Sequence, residues 1–447
     1  MSATDPQSPQ ELQLPFNTQE QRNPAEEQMD RVVDILTADQ HSPAEKPENA
    51  WLQVDSKVTD ETKPVELSIV MPCLDEADTV GTCILKALHS LEKMGIRGEV
   101  IVADNGSRDD SVEIAESLGA RVVHVDRPGY GAALMGGIEA AKGRYVLMGD
   151  ADDSYDFSQA HKFYEQIKDG QADLVQGCRL AAGGGRVMPG AMPWLHQWGN
   201  PALTWMVRKM FRAKIHDVYC GMRIFSKEHY TRLDQRCTGM EFATEMIIKS
   251  TLFGAKISEV PITLHPDGRK THAPHLRTFR DGWRTLRFFL LLSPKWSFIA
   301  PGAMLALLGV LGCFLVMAKL TVAGVVFEAH TLLLSVLALL VSFQLGSFGL
   351  LAKSFAATEG ILPKDARVER FCRRFTLERC LLGAAGLIAA GIGTIIWQTL
   401  SWGAGGFGNL DYSVTMLRII PAAGAVAIGA QLAFSSLMLR LIRLARR

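Results

Sequence analysis

Four apolar stretches, residues 298–318, 331–352, 381–400 and 419–439, constrain this 447-residue chain more than any other feature. Each has about the 20 residues a helix needs to cross roughly 30 Å of hydrocarbon. Four such helices buried in a soluble domain would leave it almost no solvent-facing side, so the pattern implies a membrane domain. The loop after the second run carries Lys353, Lys364, Arg367, Arg370, Arg373, Arg374 and Arg379, and the tail after the fourth carries Arg440, Arg443, Arg446 and Arg447. The other two loops have only Lys319 and Arg418 at their edges. Positive charge is retained inside. The expectation is that the segment before the first span, the basic loop and the C-terminus all face the cytoplasm.

The rest divides into three parts: a polar tail over 1–64, a globular domain over 65–270, and a basic connection over 271–297 that leads into the four-helix membrane domain, 298–447. The tail is too poor in apolar residues to offset the entropy of ordering and is expected to be disordered. Within it only 29–36 is amphipathic, too short for a stable isolated helix. Met1–Glu20 has neither the basic start nor the apolar core of a secretory signal. Forty-seven basic residues balance forty-seven acidic ones, which argues against a nucleic-acid partner. The eight cysteines are scattered without a CxxC, so reduced thiols are expected rather than disulfides or a zinc site.

From Glu66 the pattern alternates. Strands are expected at 67–71 (stopped by Pro72), 100–103, 121–125 and 145–148, with helices at 79–93, 109–118 and 132–141 between them. Helices of this length between strands imply right-handed crossovers and an α/β domain with a mostly parallel sheet. Ligands of such sheets bind beyond the carboxyl ends of the strands. The polar clusters fall there.

Gly149-Asp150-Ala151-Asp152-Asp153 follows the last of these strands. Carboxylates at i and i+2 can gather on one divalent ion with oxygen preference, Mg²⁺ or Mn²⁺, which can bridge a diphosphate. A solvated acidic turn is the alternative. Asp104 ends another strand, and the glycines of Arg127-Pro128-Gly129-Tyr130-Gly131 precede a helix. The punctuated basic loop 267–277 suits either a clamp over a diphosphate or a patch touching anionic head groups. Residues 278–292 interleave Arg280, Arg284 and Arg287 with Trp283, Leu286, Phe288 and Phe289. They form either an interfacial helix or one docked on the globular domain.

Together these motifs resemble the family-2 glycosyltransferases. Ile69-Val70-Met71-Pro72-Cys73-Leu74-Asp75-Glu76, Val102-Ala103-Asp104-Asn105-Gly106-Ser107, Gly129-Tyr130-Gly131-Ala132-Ala133 and Asp150-Ala151-Asp152 follow that family's order and spacing over about residues 65–290. Within it the chain is similar to the polyprenyl-phosphate sugar synthases. The resemblance implies a nucleotide-sugar-binding GT-A-like fold, a UDP- or GDP-sugar donor and a polyprenyl phosphate acceptor. It implies a nucleotide pocket of Pro72, Leu74, Glu76, Asp104, Gly106, Gly131, Asp150 and Ala151, with Asp104 on the base. Asp150 and Asp152 would hold the metal. Gln176-Gly177-Cys178-Arg179 is similar to the family's Gly-Ser-Arg segment, making Arg179 a contact for the acceptor phosphate, joined by His275 and Arg277. Asp217-Val218-Tyr219-Cys220-Gly221-Met222-Arg223 is similar to Asp-x-x-Ser-Gly-Phe-Arg, and Glu241 and Glu245 match a later acidic pair.

Two positions depart from the pattern. Ser154 stands where a Gln often follows the metal motif, and His196 or Gln197 where the helix after Arg179 usually has a basic residue. The expected reaction is one in-line displacement with inversion, Arg269 stabilising the leaving diphosphate and Asp217 and Glu241 orienting sugar hydroxyls or arginines. A processive polysaccharide synthase would usually carry Gln-x-x-Arg-Trp, and no such motif occurs. A non-catalytic membrane scaffold would not need Asp104, Asp150 and Asp152. In the spans, Gly383, Gly386, Ala390 and Gly393 suit close helix packing or a homo-oligomer contact.

Overall fold

The computed structural model describes residues 64–270, 278–322 and 325–444. The amphipathic segment 29–36 and the two acceptor candidates His275 and Arg277 lie outside the described residues.

The first half is built on a seven-stranded sheet: β1 (Leu67–Cys73), β2 (Gly98–Asp104), β3 (Arg121–His124), β4 (Tyr145–Met148), β5 (Leu174–Cys178), β7 (Arg223–Ser226) and β8 (Ile257–Pro261). The strand order is β3-β2-β1-β4-β7-β5-β8. β1 pairs in parallel with β2 and β4, β2 with β3, and β5 with β8, whereas β7 runs antiparallel to both β4 and β5. A two-residue ladder, β6 (Arg186–Val187) with β9 (Thr263–Leu264), lies beside it. The α/β expectation holds.

One boundary differs. β1 continues through Pro72 to Cys73, in register with Ala103 and Asp104. Val70 faces β4, since its carbonyl accepts the Gly149 amide at 3.3 Å. By the strand's period of two Pro72 faces the same way, beyond the last β4 residue, Met148. The missing N–H therefore leaves no ladder bond unmade.

The helix Val80–Met94 shows how the layers join. Val80, Cys83, Ile84, Ala87 and Leu91 recur at helical spacing and are all buried against the sheet. The helix stops at Gly95, which takes φ +62° and returns its amide to Glu92. Burying such a side chain contributes about 1.5–3 kcal/mol before entropy. Ile84→Ala would therefore cost about 2–5 kcal/mol.

The second half has four helices long and apolar enough to cross a membrane: Lys295–Met317, Ala329–Thr358, Leu377–Ala404 and Tyr412–Ile442. Lys353 and Arg379, assigned to a loop by sequence, lie inside two of them. A further helix, Ala366–Arg374, occupies that connection. The close approaches use other glycines than those expected. A Cβ on Gly391 would stand 2.5 Å from the Ala422 carbonyl, and one on Gly429 2.9 Å from that of Ala384. Gly386 and Gly393 meet nothing within 4 Å inside the chain.

Candidate active site

Two loops beyond the carboxyl ends of β1 and β2 are sewn together by side chains. Asp75, at φ +58°, accepts the Arg108 amide at 2.7 Å, while Ser107 and Ser111 hydroxyls accept the Asp75 and Glu76 amides at 3.0 and 2.8 Å. Asp104 is buried and accepts from the amides of Gly106 (3.2 Å) and Ser107 (3.0 Å), with His124 Nδ1 at 3.2 Å. Burial raises its pKa, but these hydrogen bonds outweigh burial and hold the carboxyl below its ordinary value. Asp104 thus fixes the turn, and Gly106 supplies its φ of +92°.

Asn105, absent from the expected site, carries the turn to the glycine segment. Its amide nitrogen donates to the Val125 and Arg127 carbonyls at 2.8 and 2.9 Å, and its oxygen accepts the Gly129 amide at 2.7 Å. Gly131 is pressed against backbone, since a Cβ there would lie 2.5 Å from the Cys237 carbonyl. Glu241 follows this segment in the first turn of the helix Glu241–Leu252. Glu245 is committed elsewhere: it is buried, takes the Arg236 and Cys237 amides, and pairs with Lys249 at 2.8 Å.

Asp150 and Asp152 follow β4 as expected. Asp150 is half-buried and accepts a 2.8 Å hydrogen bond from the Tyr130 hydroxyl. Burial, then the charge of Asp152, pushes its carboxyl up to about 7, against the opposing pull of Tyr130 and Arg269. Gly221 stands so close that a Cβ would lie 2.7 Å from Asp150 Oδ2. Asp152 is held by Ser154, whose amide and hydroxyl donate to Oδ1 at 3.1 and 2.6 Å. Asp152 then meets Arg269 Nη1 through Oδ2 at 3.4 Å.

Arg269 is the convergence point. Its Nε donates to Glu76 Oε2 at 2.7 Å, its Nη2 to Glu76 Oε1, and its Nη1 to Asp267 Oδ2 at 2.6 Å. The Gly268 amide donates to the Asp152 carbonyl at 2.9 Å and the Lys270 amide to Asp78 at 2.9 Å, which docks the segment on the site.

A second centre lies beside it. Arg179 makes a two-point ion pair with Asp217, Nε to Oδ2 at 2.8 Å and Nη2 to Oδ1 at 3.0 Å. Both residues are buried. Burial opposes the Asp217 charge, yet the arginine holds its carboxyl below the ordinary value. Tyr155 joins the centres: its oxygen accepts Arg179 Nη1 at 3.3 Å and the Gly221 amide at 2.8 Å. Sequence reasoning did not select Tyr130 or Tyr155; the signal was their place within or next to the glycine and aspartate motifs.

The helix Trp194–Phe211 packs beside this centre, its Thr204 hydroxyl accepting the amide of Val218, next to Asp217, at 3.4 Å. Burial and then the Arg179 charge lower the His196 pKa, which puts His196 in electrostatic range of that arginine. On the opposite side, Trp194, Trp198 and Trp205 are 73, 76 and 63% exposed. Their spacing of i, i+4 and i+11 keeps them within about 40° of one another. The helix Thr278–Leu292 behaves similarly. Phe289 is buried and meets Phe211 edge to face at 6.3 Å, while Trp283 and Leu291 are exposed. It is docked on the globular domain and still presents an apolar face.

Carboxylate oxygens suit a hard divalent cation, and a partly desolvated pair in which one acid is pushed up to about 7 is relieved by one. Among the described residues no group of three or more His, Cys, Asp or Glu could hold an ion alone. Asp150 and Asp152 therefore fit an ion that shares its coordination with a phosphate ligand and water.

With that geometry in place, the comparisons give the class. Residues 68–233 match the family model for glycosyl transferase family 2, and residues 350–443 the model for a family-2 C-terminal transmembrane region. The low-salt glycan biosynthesis hexosyltransferase Agl6 of Haloferax volcanii is 38% identical over 375 residues, 83% of this chain and 88% of that protein. This protein belongs to glycosyltransferase family 2 and is a membrane glycosyltransferase. A dolichyl-phosphate hexose transferase of the same organism is 31% identical over 198 residues, 44% of this chain and 82% of that one. Glucosyl-3-phosphoglycerate synthase from Mycobacterium tuberculosis, solved with Mn²⁺, UDP and glucosyl-3-phosphoglycerate, aligns at 22% identity and a TM-score of 0.39, covering 51% of this chain and 79% of that one. That likeness is too loose to bear on this chain's site.

Proposed function

We propose that the protein transfers a hexose from a nucleotide-sugar donor, UDP- or GDP-linked, to a polyprenyl phosphate at the cytoplasmic membrane surface. The carrying observation is the helix Trp194–Phe211, which is bonded through Thr204 to the segment that holds Asp217 and turns three exposed tryptophans outward. Tryptophans placed this way settle at head-group depth. An acceptor whose phosphate lies at that depth can reach Arg179 without leaving the bilayer. The second link is Arg269, nine residues before the helix Thr278–Leu292 and so within about 30 Å of its start.

Pro72, Leu74, Glu76, Asp104, Gly106, Gly131 and Ala151 border the nucleotide, and Asp150 and Asp152 hold Mg²⁺ or Mn²⁺. The ion, when bound, neutralises charge on the departing nucleoside diphosphate. Arg269 releases part of its carboxylate contacts to that diphosphate. Arg179, oriented by Asp217, holds the acceptor phosphate with His275 and Arg277, and Glu241 orients sugar hydroxyls. A phosphate monoester with a second pKa near 6 is largely dianionic at neutral pH and needs no strong base. Its oxygen forms the new bond to the anomeric carbon as the bond to the diphosphate breaks, with inversion. The positive charge of the basic loop and the C-terminus supports a cytoplasmic orientation for this site.

The test is a transfer assay with the detergent-purified protein, labelled UDP- and GDP-sugars, polyprenyl phosphate and Mg²⁺ or Mn²⁺. Label in a mono-glycosylated lipid that disappears with chelator is expected. Label only in a polymer, or none with any donor, would overturn the reading.

A further inference from the structure

The membrane domain has an open cavity of about 1200 Å³ where the helices Ala329–Thr358, Leu377–Ala404 and Tyr412–Ile442 approach the short helix Ala366–Arg374. None of the residues around Asp150, Arg179 or Arg269 lines it. Part of its lining is apolar, with Phe343, Leu350, Leu432 and Leu439, and with Phe371 and Phe375, whose rings are 4.6 Å apart.

The rim has a different character. Seven Lys or Arg side chains line the cavity against two carboxylates, Asp365 and Glu378. Asp365 is already engaged by Lys353 and by the Arg367 amide at 2.7 Å. Arg379 donates to the Arg374 carbonyl at 2.9 Å. Arg367, Arg373, Arg440 and Arg443 make no ion pair within 4 Å among the described residues, although Arg440 lies in the field of Glu378. These four arginines are exposed at the mouth of an apolar cavity between membrane helices, a setting that suits an anion carrying its own hydrocarbon.

We propose that this cavity is a binding site for an anionic phospholipid of the surrounding leaflet, with the phosphate among Arg373, Arg440 and Arg443 and the acyl chains along the Leu and Phe wall. The bilayer supplies the occupant, since the cavity sits at the ends of membrane-spanning helices. The bound lipid is not the one glycosylated, because no residue of the transfer site reaches the chamber. It ties the connection between the second and third spans to the fourth. The inference stands on the membrane domain alone and holds whatever the transferase accepts.

Two kinds of substitution test it on the full-length protein. Arg373→Gln with Arg440→Gln removes charge from the rim. Gly383→Leu fills the chamber: a Cβ there meets only Leu432 Cδ2, at 3.9 Å, so the side chain grows into the space. Gly346→Leu, with nothing within 4 Å of its Cβ, serves if the first variant does not fold. The protein is equilibrated in micelles containing equal fractions of phosphatidylcholine, phosphatidylglycerol and polyprenyl phosphate, and retained lipid is weighed by native mass spectrometry. Retention of phosphatidylglycerol over phosphatidylcholine is expected, falling about fivefold per arginine removed. The filled variant should lose it while keeping sugar transfer and the melting temperature that the wild type shows without phosphatidylglycerol. Equal retention of both phospholipids, or retention unchanged by the variants, would overturn the site. Polyprenyl phosphate displacing phosphatidylglycerol in a variant-sensitive way would overturn the assigned occupant.

Discussion

The two arginine centres of the globular domain solve opposite problems. At one end, Arg179 and Asp217 balance one charge with one charge, both buried, in a two-point geometry. At the other, the single guanidinium of Arg269 faces Glu76, Asp152 and Asp267, with Asp150 close behind. The first is electrically complete and part of the core. The second has more acid than base and is held by a docked loop, so it gains from a further cation and can exchange contacts. Their difference teaches which end is scaffold for a ligand and which end reorganises around one.

The sharpest way to break this comparison is at the balanced end. Asp217→Asn leaves a buried, uncompensated arginine and should cost about 3–5 kcal/mol, read as a large fall in melting temperature. Arg179→Met with Asp217→Leu should recover most of that stability without recovering transfer. A single variant that melts like wild type would show that the pair is not the closed unit described.

At the unbalanced end the order reverses: activity should suffer more than stability. Arg269→Ala should lower kcat about 100-fold or more, with Arg269→Lys a poor substitute because one ammonium cannot reproduce the fork. Equal losses in melting temperature for Arg269→Ala and Asp217→Asn would erase the distinction.

The excess of acid also predicts a pH effect. The Asp150 carboxyl is raised from 3.8 to about 7 in the folded protein. Its contribution to stability is therefore complete below the unfolded pKa and is lost as pH rises through about 7. Metal-free protein should lose stability across that window relative to Asp150→Asn, and saturating Mg²⁺ should suppress the loss. Correspondingly, Mg²⁺ affinity should fall about tenfold per pH unit below 7 in titration calorimetry. A smaller effect comes from Ser154→Ala, which deletes the 2.6 Å bond orienting Asp152 and should weaken ion binding about fivefold, or about 1 kcal/mol.

Much of this was legible in the sequence where local pattern carries the information. Tyr145–Met148 and the helix Thr278–Leu292 occur within the expected bounds, and the four apolar runs became four membrane-length helices. The antiparallel strand β7 did not announce itself: Arg-Ile-Phe-Ser is four residues long and acquires its partners only when β4 and β5 flank it. Pro72 misled because its tolerance depends on where β4 ends. Among site residues, Glu76 and Arg269 were each identifiable, but their meeting across 193 positions was not. The tryptophans of Trp194–Phe211 have a readable i, i+4, i+11 spacing, but only the fold shows that this face of the helix is left uncovered. Asn105 was visible only as part of a turn, since its three partners lie 20 or more residues away.

The most direct test of the account compares two acceptors with the same labelled donor, polyprenyl phosphate and the corresponding polyprenol without phosphate, followed by determination of the anomeric configuration of the product. The account predicts one sugar per lipid, on the phosphate compound only, with configuration inverted from the donor. Transfer to the free alcohol, or a product that retains the donor configuration, would contradict it.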